Sequence, residues 1–258
     1  SEIERSLMKE LANKKKIFGI KLLDKQTTSQ ISEIFNTNIE AALISENDGR
    51  INPKRLLISL MKALHVYQVK KIDQSVISLK KKSGLTDKQW KIYLSNNEIL
   101  EKDYVVICAS LGSEEILTPL DHIIRFEPKL GQVLDLRIDI QNNNKFVWPA
   151  VINTKGYNFI LNNKNEHQML LGATMENGIS PNIEHLNIMK DCINSDWGKK
   201  ALVEKQWYGI RSRPMNEPSP IIKNLEPGLL VNTGHYRNGI LLAPACAEWI
   251  VQQITENL

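Results

Sequence analysis

The chain has 258 residues, of which 42% are hydrophobic and 24% charged. That balance builds a globular core and excludes a disordered chain. Thirty-three basic residues against 29 acidic ones leave a net charge of +4; spread along this length, without a basic tail or stripe, it gives no sign of a nucleic-acid partner.

The spacing of Ile3, Leu7, Leu11 and Ile17 predicts a helix over 2–18. A second helix, capped by Thr27 or Thr28, is expected to run to Phe35, with Ile31 and Ile34 as its apolar positions. The turn Glu46-Asn47-Asp48-Gly49-Arg50 leads to Pro53, which suits the first turn of a helix reaching about Val66. Leu56, Leu57, Leu60, Met61 and Leu64 make its apolar face. Short strands are expected at 69–72, 76–79 and 90–94, and the apolar run Tyr104–Ala109 reads as a strand buried on both faces, as in a parallel sheet. Strand candidates at 132–138, 146–151, 157–161 and 168–172, with the turn-like Gln141-Asn142-Asn143-Asn144, predict an antiparallel sheet. A helix near 182–193, a buried strand at 229–231, a polar loop over 233–238 and a terminal helix over 240–254 complete the order. A β block inside flanking α/β elements points to two interleaved domains.

Cys108, Cys192 and Cys246 are odd in number and form no CxxC pair, so neither a metal site nor a disulfide framework is expected. They fit a reducing, cytoplasmic compartment. No apolar run nears the ~20 residues of a membrane span, and the charged start Ser-Glu-Ile-Glu-Arg is no signal peptide. The missing initiator Met leaves two expectations, a Met removed ahead of Ser1 or a piece of a longer chain. The lysine runs 14–16 and 80–82 read as solvated surface.

The most informative segment is Thr233-Gly234-His235-Tyr236-Arg237-Asn238-Gly239-Ile240-Leu241-Leu242-Ala243-Pro244. It follows a strand and opens a helix. Gly234 and Gly239 permit a sharp turn or close approach of a ligand, and Asn238 is a candidate N-cap. The helix end offers free N–H groups and partial positive charge to an anion, or the segment is a plain strand-to-helix connection.

This segment resembles the C-terminal signature of FAD-dependent amino-acid oxidases of the D-amino-acid oxidase family, glycine oxidase branch, which serves thiamine biosynthesis. Five further segments agree in order: Asp48–Leu56, Tyr104–Ser113, Pro128-Lys129-Leu130-Gly131-Gln132, Leu170-Leu171-Gly172-Ala173-Thr174-Met175-Glu176, and Trp207-Tyr208-Gly209-Ile210-Arg211 with Pro220-Ile221-Ile222. The family's opening strand, Gly-x-Gly-x-x-Gly turn and ribose-binding acid are not in this sequence. The match thus covers roughly the C-terminal two-thirds of the family pattern. The implied fold is α/β plus α+β, an incomplete FAD-binding (Rossmann-like) domain interleaved with an antiparallel-sheet substrate domain. Residues 1–50 would be the helical part of the substrate domain, 51–118 and 211–258 the partial FAD-binding domain, and 119–210 the antiparallel sheet.

The resemblance implies oxidation of a small amino acid by FAD and O2, with FAD supplying the redox chemistry and no metal or nucleophile required. It places Arg211 as the main clamp on the substrate carboxylate and Arg237 near it, since a guanidinium pairs with a carboxylate through two parallel bonds. Taken alone, each arginine reads as a surface residue or a structural ion pair. Met175 would line the substrate pocket or serve as a core methionine. Phe159 stands where the family has a pocket tyrosine, with Tyr157 on the same strand face. Ala109 and Ser110 would lie near the flavin; the family often has glycine where Ser110 stands. Gly234, His235 and Tyr236 would form the flavin loop, with His235 there rather than as a general base. Asn238, Gly239 and Ile240 would face the flavin's pyrimidine edge. A missing N-terminal segment, in the same chain or a separate one, and association between copies are further implied partners; no nucleic acid or membrane is. The alternative is a non-catalytic remnant that binds an amino acid or a partner chain.

Overall fold

The computed structural model describes residues 2–82, 89–139, 148–162, 165–193 and 196–256. In order the elements are α1 (Glu2–Lys14), β1 (Ile20–Leu22), α2 (Lys25–Phe35), β2 (Leu43–Ser45), α3 (Pro53–Val66), β3 (Val76–Lys81), β4 (Trp90–Leu94), β5 (Ile99–Lys102), β6 (Val105–Ile107), α4 (Ser113–Leu117) and β7 (Phe126–Arg137). They continue with β8 (Ile152–Thr154), β9 (Tyr157–Asn162), β10 (Asn165–Gly172), β11 (Glu176–Asn177), α5 (Ile183–Asp191), α6 (Asp196–Lys199), β12 (Leu202–Pro214), β13 (Ile221–Glu226), β14 (Leu229–Thr233) and α7 (Gly239–Thr255). The mixed α/β and antiparallel composition is the expected one.

Two compact units share these elements. One comprises Ser1–Ala63, Gln132–Thr174 and Asn182–Tyr208; the other comprises Leu64–Gly131, Met175–Pro181 and Gly209–Leu258. The chain passes back and forth between them, and the passages fall at 63/64, 131/132, 174/175, 181/182 and 208/209. The sequence reading placed them at 50/51, 118/119 and 210/211.

The first unit holds an antiparallel sheet with its core on one face. Leu134 faces Leu171, and Leu136 faces Met169, between β7 and β10; Leu171 in turn faces Phe159 on β9. Alternation along these strands turns Leu134, Leu136, Phe159, Met169 and Leu171 to one buried side. Ile31 and Phe35 on α2, and Leu186 and Met189 on α5, close over that side at helical spacing. The cap of α2 is Asp24, not Thr27 or Thr28. Asp24 has extended backbone, and its carboxylate accepts the Thr27 N–H at 2.7 Å, which holds its pKa below the ordinary range. Gln132, buried within the sheet, has its amide satisfied from both sides. It donates to the Asn182 carbonyl at 2.8 Å and accepts from the Gln206 amide at 3.1 Å.

The second unit is built on β14. β13 pairs with it antiparallel, and β6 pairs with it in parallel, Leu229 against Val105 and Val231 against Ile107. A separate antiparallel sheet, β3-β4-β5, contributes Leu79 and Trp90 to the core around Leu117, Phe126, Ile221, Leu229 and Val231. The Trp90 ring is fully buried and donates its N–H to the Pro227 carbonyl at 3.1 Å. β6 is parallel, as expected, but only Ile107 in it is buried.

Other expectations change. Residues 69–72 form no strand: Gln68 takes a left-handed φ of 56°, and the Val69 N–H closes the end of α3 on the Leu64 carbonyl. The expected strand 146–151 is replaced by irregular backbone over 148–151, with 146–147 and the turn 141–144 lying outside the described residues. α3 forms as predicted, but its apolar face is open, with Leu57 62% exposed and Leu60, Met61 and Leu64 also exposed.

Candidate functional site

A cavity of about 380 Å³ opens at the end of β14. Three strand ends supply it: Cys108 and Ser110 follow β6, Ile210 to Ser212 belong to β12, and Asn232 to Tyr236 lead from β14 toward α7, whose Gly239 and Ala243 complete the wall.

The loop geometry depends on residues the sequence marks. Gly234 has φ 64°, and a Cβ there would stand 2.9 Å from both the Phe126 ring and Pro214. Conformation and space both require glycine. Tyr236 also takes a positive φ, 52°. Ser219 donates to the Gly234 carbonyl at 2.6 Å, and the Asn238 N–H donates to the His235 carbonyl at 3.1 Å. Hydroxyls tie the three strand ends together. Ser110 bonds Ser212 at 3.0 Å, Ser113 bonds Thr233 at 3.1 Å, and Thr233 donates to the Ser110 carbonyl at 3.3 Å. Ser110 sits at φ 55°, a left-handed backbone that glycine would adopt without strain.

Arg211 is the charged group in the wall. It is half-buried and makes no ion pair or hydrogen bond among the described residues. Its guanidinium lies over the backbone of Gly131: a Cβ on Gly131 would fall 2.5 Å from Nη1 and 2.8 Å from Nη2. Arg213, two residues on, differs. It pairs with Glu127 at 3.4 Å and lies over the Tyr236 ring at 5.9 Å. Among the described residues no Asp or Glu lines the cavity, so none opposes the Arg211 charge there. Asn238 precedes α7 but makes no side-chain cap. The first-turn N–H groups of α7 therefore add partial positive charge at the Gly239 end of the cavity. The arrangement suits a small anion, above all a carboxylate, which a guanidinium engages through two parallel bonds.

His235 also lines the cavity, and partial burial pushes its pKa below the usual 6.5. The ring is therefore neutral near pH 7. A depressed imidazole pKa means the unfolded chain binds the proton first as pH falls. The His235 contribution to stability is constant above about 6.5 and declines as pH drops below it. In thermal melts across about pH 7 to 5, His235→Asn is expected to lose less melting temperature than the wild type; equal losses would remove His235 as the source. Cys108 is kept protonated, its thiol pushed up by desolvation.

Of the expected site residues, the cavity brings together Arg211, Ser110, Gly234, His235, Tyr236 and Gly239. Met175 is 56% exposed and receives the Tyr236 hydroxyl on its sulfur at 3.6 Å, so it stands beside this loop. Ala109, Arg237, Asn238 and Ile240 are not among the residues that line the cavity, and Arg237 is exposed. Phe159 is placed in the core of the first unit. Its ring has no accessible surface and packs at 4.9 Å on Phe35, where it supports the first unit's core. Tyr157 lies partly buried against the same core. Sequence reasoning did not single out Cys108, Ile210, Ser212, Asn232, Thr233 and Ala243 as site residues. Cys108, Ile210, Thr233 and Ala243 stand within the family-like segments, and Asn232 is an amide ending the apolar run Leu229-Leu230-Val231. Among the described residues no group of three His, Cys, Asp or Glu is placed to hold a metal, and no helix is long and apolar enough to cross a membrane.

Residues 1–253 match the family model for FAD dependent oxidoreductases, DAO. The chain belongs to that family. Among curated FAD dependent oxidoreductase relatives, it is 28% identical over 181 residues to the bifunctional protein ThiO/ThiG of Nostoc sp. (strain PCC 7120), covering 67% of this chain and 26% of that one. It is also 28% identical over 166 residues to the glycine oxidase of Pseudomonas putida, covering 61% and 43%. The chain thus spans less than half the length of either. Among solved structures, glycine oxidase from Geobacillus kaustophilus superposes with a TM-score of 0.78 at 17% identity, covering all of this chain and 69% of the other. At that identity the likeness establishes the fold.

The cavity fits part of an FAD rather than all of it. Its volume lies at the low end for small-molecule sites, room for one edge of a large cofactor and a small acid. A glycine loop at φ 64° and the uncapped start of α7 suit a flat ring that gains negative charge.

Proposed function

We propose that this chain supplies the substrate-facing part of an FAD-dependent amino-acid oxidase of the glycine oxidase branch. The observation that carries the reading is the half-buried Arg211, which among the described residues has no ion-pair partner and no acidic neighbour in the cavity wall. Arg211 holds the carboxylate of a small amino acid such as glycine or N-methylglycine. That fixes the α-carbon at one distance and orientation, a large part of the rate in any bimolecular transfer. FAD, when bound, supplies the hydride acceptor. His235, neutral, fills the wall without competing for the carboxylate, and Tyr236 is held by Arg213 and Met175. The start of α7 stabilises negative charge on whatever lies before Gly239. The amino acid, O2 and water become a 2-oxo acid, an amine or ammonia, and hydrogen peroxide.

The second unit carries the cofactor side and the sheet of the first unit the substrate domain. The edge position of β6 among the described strands supports completion of the second unit's sheet by a further segment, in the same chain or another. A visible spectrum of the gene product, before and after FAD addition and desalting, tests the reading together with peroxide release from glycine and N-methylglycine. Retained flavin and peroxide are expected. Neither flavin retention nor oxidation of any small amino acid would overturn it.

One substitution tests the cradle under Arg211. A methyl group at position 131 cannot coexist with the present guanidinium position. Gly131→Ala is expected to raise KM for the amino acid about tenfold, with a smaller change in kcat, because binding common to ground and transition states is what is lost. An unchanged KM would show that Arg211 reaches the substrate from another position.

A further inference from the structure

Tyr236 keeps a backbone conformation that its residue type does not favour. Its φ of 52° falls in the left-handed region, which Gly234 two residues earlier occupies without strain. A large side chain persists at such a position when its surroundings hold it there. Here the side chain is held at both ends. The guanidinium of Arg213 lies over the ring at 5.9 Å, and the hydroxyl donates to the Met175 sulfur at 3.6 Å. Arg213 is itself tethered. Its Nη1 stands 3.4 Å from Glu127 Oε2, and the other oxygen of that carboxylate takes Lys129. Lys129 is buried and sits opposite Asn177 between β7 and β11, donating also to the Asn177 side-chain oxygen. Glu127 and Lys129 are two residues apart on β7 and so share a face. Most surface ion pairs are weak because both side chains wander. The Glu127 carboxylate differs, because a buried ammonium requires it in place. The hydrogen bond from that ammonium also holds the Glu127 carboxyl below the ordinary carboxylate range.

We propose that Arg213 is a positioning residue that acts through Tyr236: anchored by Glu127, it fixes the ring as an unyielding part of the cavity wall and so limits the width of the ligand that Arg211 holds. The inference rests on the Arg211 reading above and extends it to what sets ligand size. Tyr236 lines the same cavity as Arg211, whereas Arg213 is not among the lining residues. Its influence on a ligand therefore passes through the ring. A cation over an aromatic face is attracted by the ring's quadrupole, so the fixation depends on the charge and not only on packing. With the charge removed, the ring keeps the weak bond to sulfur and gains freedom to swing. A wall that yields discriminates less between a narrow and a broad group than one that does not. The strength of a single such contact bounds the effect at a few-fold to about tenfold.

The test compares acetate with 2,2-dimethylpropanoate, a narrow and a broad acid of the same charge. Their dissociation constants are measured by titration calorimetry on the FAD-saturated gene product, in the wild type, Arg213→Met and Arg213→Lys. The Arg213 side chain is 52% exposed, so both variants are expected to fold. In Arg213→Met the ratio of the two constants is expected to shift about fivefold in favour of the broad acid. Loss of general positive potential weakens both acids alike and cancels in that ratio. Arg213→Lys keeps the cation and should stay within about twofold of the wild type. A second readout needs no ligand. In protein labelled with 3-fluorotyrosine, the fluorine resonance that disappears in Tyr236→Phe is expected to move in Arg213→Met and to stay near its wild-type position in Arg213→Lys. An unchanged ratio in Arg213→Met, or a changed ratio with an unmoved Tyr236 resonance, would overturn the proposal and leave the Arg211 reading intact. So would a shift in Arg213→Lys as large as that in Arg213→Met. Failure of both acids to bind the wild type would remove the Arg211 reading and this inference together.

Discussion

Arg211→Ala, in the FAD-saturated gene product, is expected to lower kcat/KM for glycine or N-methylglycine by about 10²- to 10³-fold, ~3–4 kcal/mol. The size follows from the surroundings. Among the described residues Arg211 has no acidic partner and no other arginine lines the cavity. Arg213 is engaged by Glu127, and Arg237 is exposed outside the wall. Nothing nearby can take over the carboxylate. Arg211→Lys keeps the charge but loses the flat two-pronged donor, so it should recover only part of the loss. Steady-state kinetics with both variants, alongside the flavin spectrum and circular dichroism, separate substrate binding from folding. A normal kcat/KM in Arg211→Ala would show that Arg211 is structural and return the function to open question.

Legibility in the sequence followed the physical cause of each signal. α2, β9 and β10 were readable because burial on one side leaves a period in the residues, α3 through the helical spacing of its exposed apolar residues, and β14 as a short apolar run buried on both sides. β12 was not. From Leu202 to Ile210 it is exposed throughout, so no buried face imposed alternation, and the strand that carries Arg211 was read only as a motif. β1, β2 and β5 are too short to establish a period. At α2 the wrong oxygen was chosen. Asp24, Thr27 and Thr28 all offer one, but only Asp24 has the extended backbone of a cap, with ψ 165°. At the site, Gly234 and Gly239 announced the loop after β14 because backbone shape demands them. Arg211 was legible through resemblance to a family and not through any local pattern. Phe159 shows the limit of strand reasoning: alternation places it on one face with Tyr157 but does not say whether that face meets a cavity or a core. Its neighbours across the strands, Leu171 and Ile152, decide that in favour of the core.

The largest stability effect is expected at Phe35. Its side chain is 3% exposed and meets three other rings edge to face, with centroids at 4.9 Å for Phe159, 6.0 Å for Trp148 and 6.2 Å for Trp197. Trp197 is held independently by its N–H on the Ile34 carbonyl at 2.8 Å, so it cannot move freely to fill a void. Phe35→Ala therefore leaves a cavity that relaxes little and should cost about 3–5 kcal/mol. Phe35→Leu keeps most of the volume and loses the edge-to-face contacts, for about 1–1.5 kcal/mol. Urea titrations followed by tryptophan emission measure both. The midpoint should fall much further for alanine than for leucine at similar slope, and the folded emission of Phe35→Ala should shift to the red as water reaches Trp148 and Trp197. A loss below about 1 kcal/mol for alanine would mean that the rings close over the gap, and that α2 is held to the sheet by Ile31 rather than by this aromatic cluster.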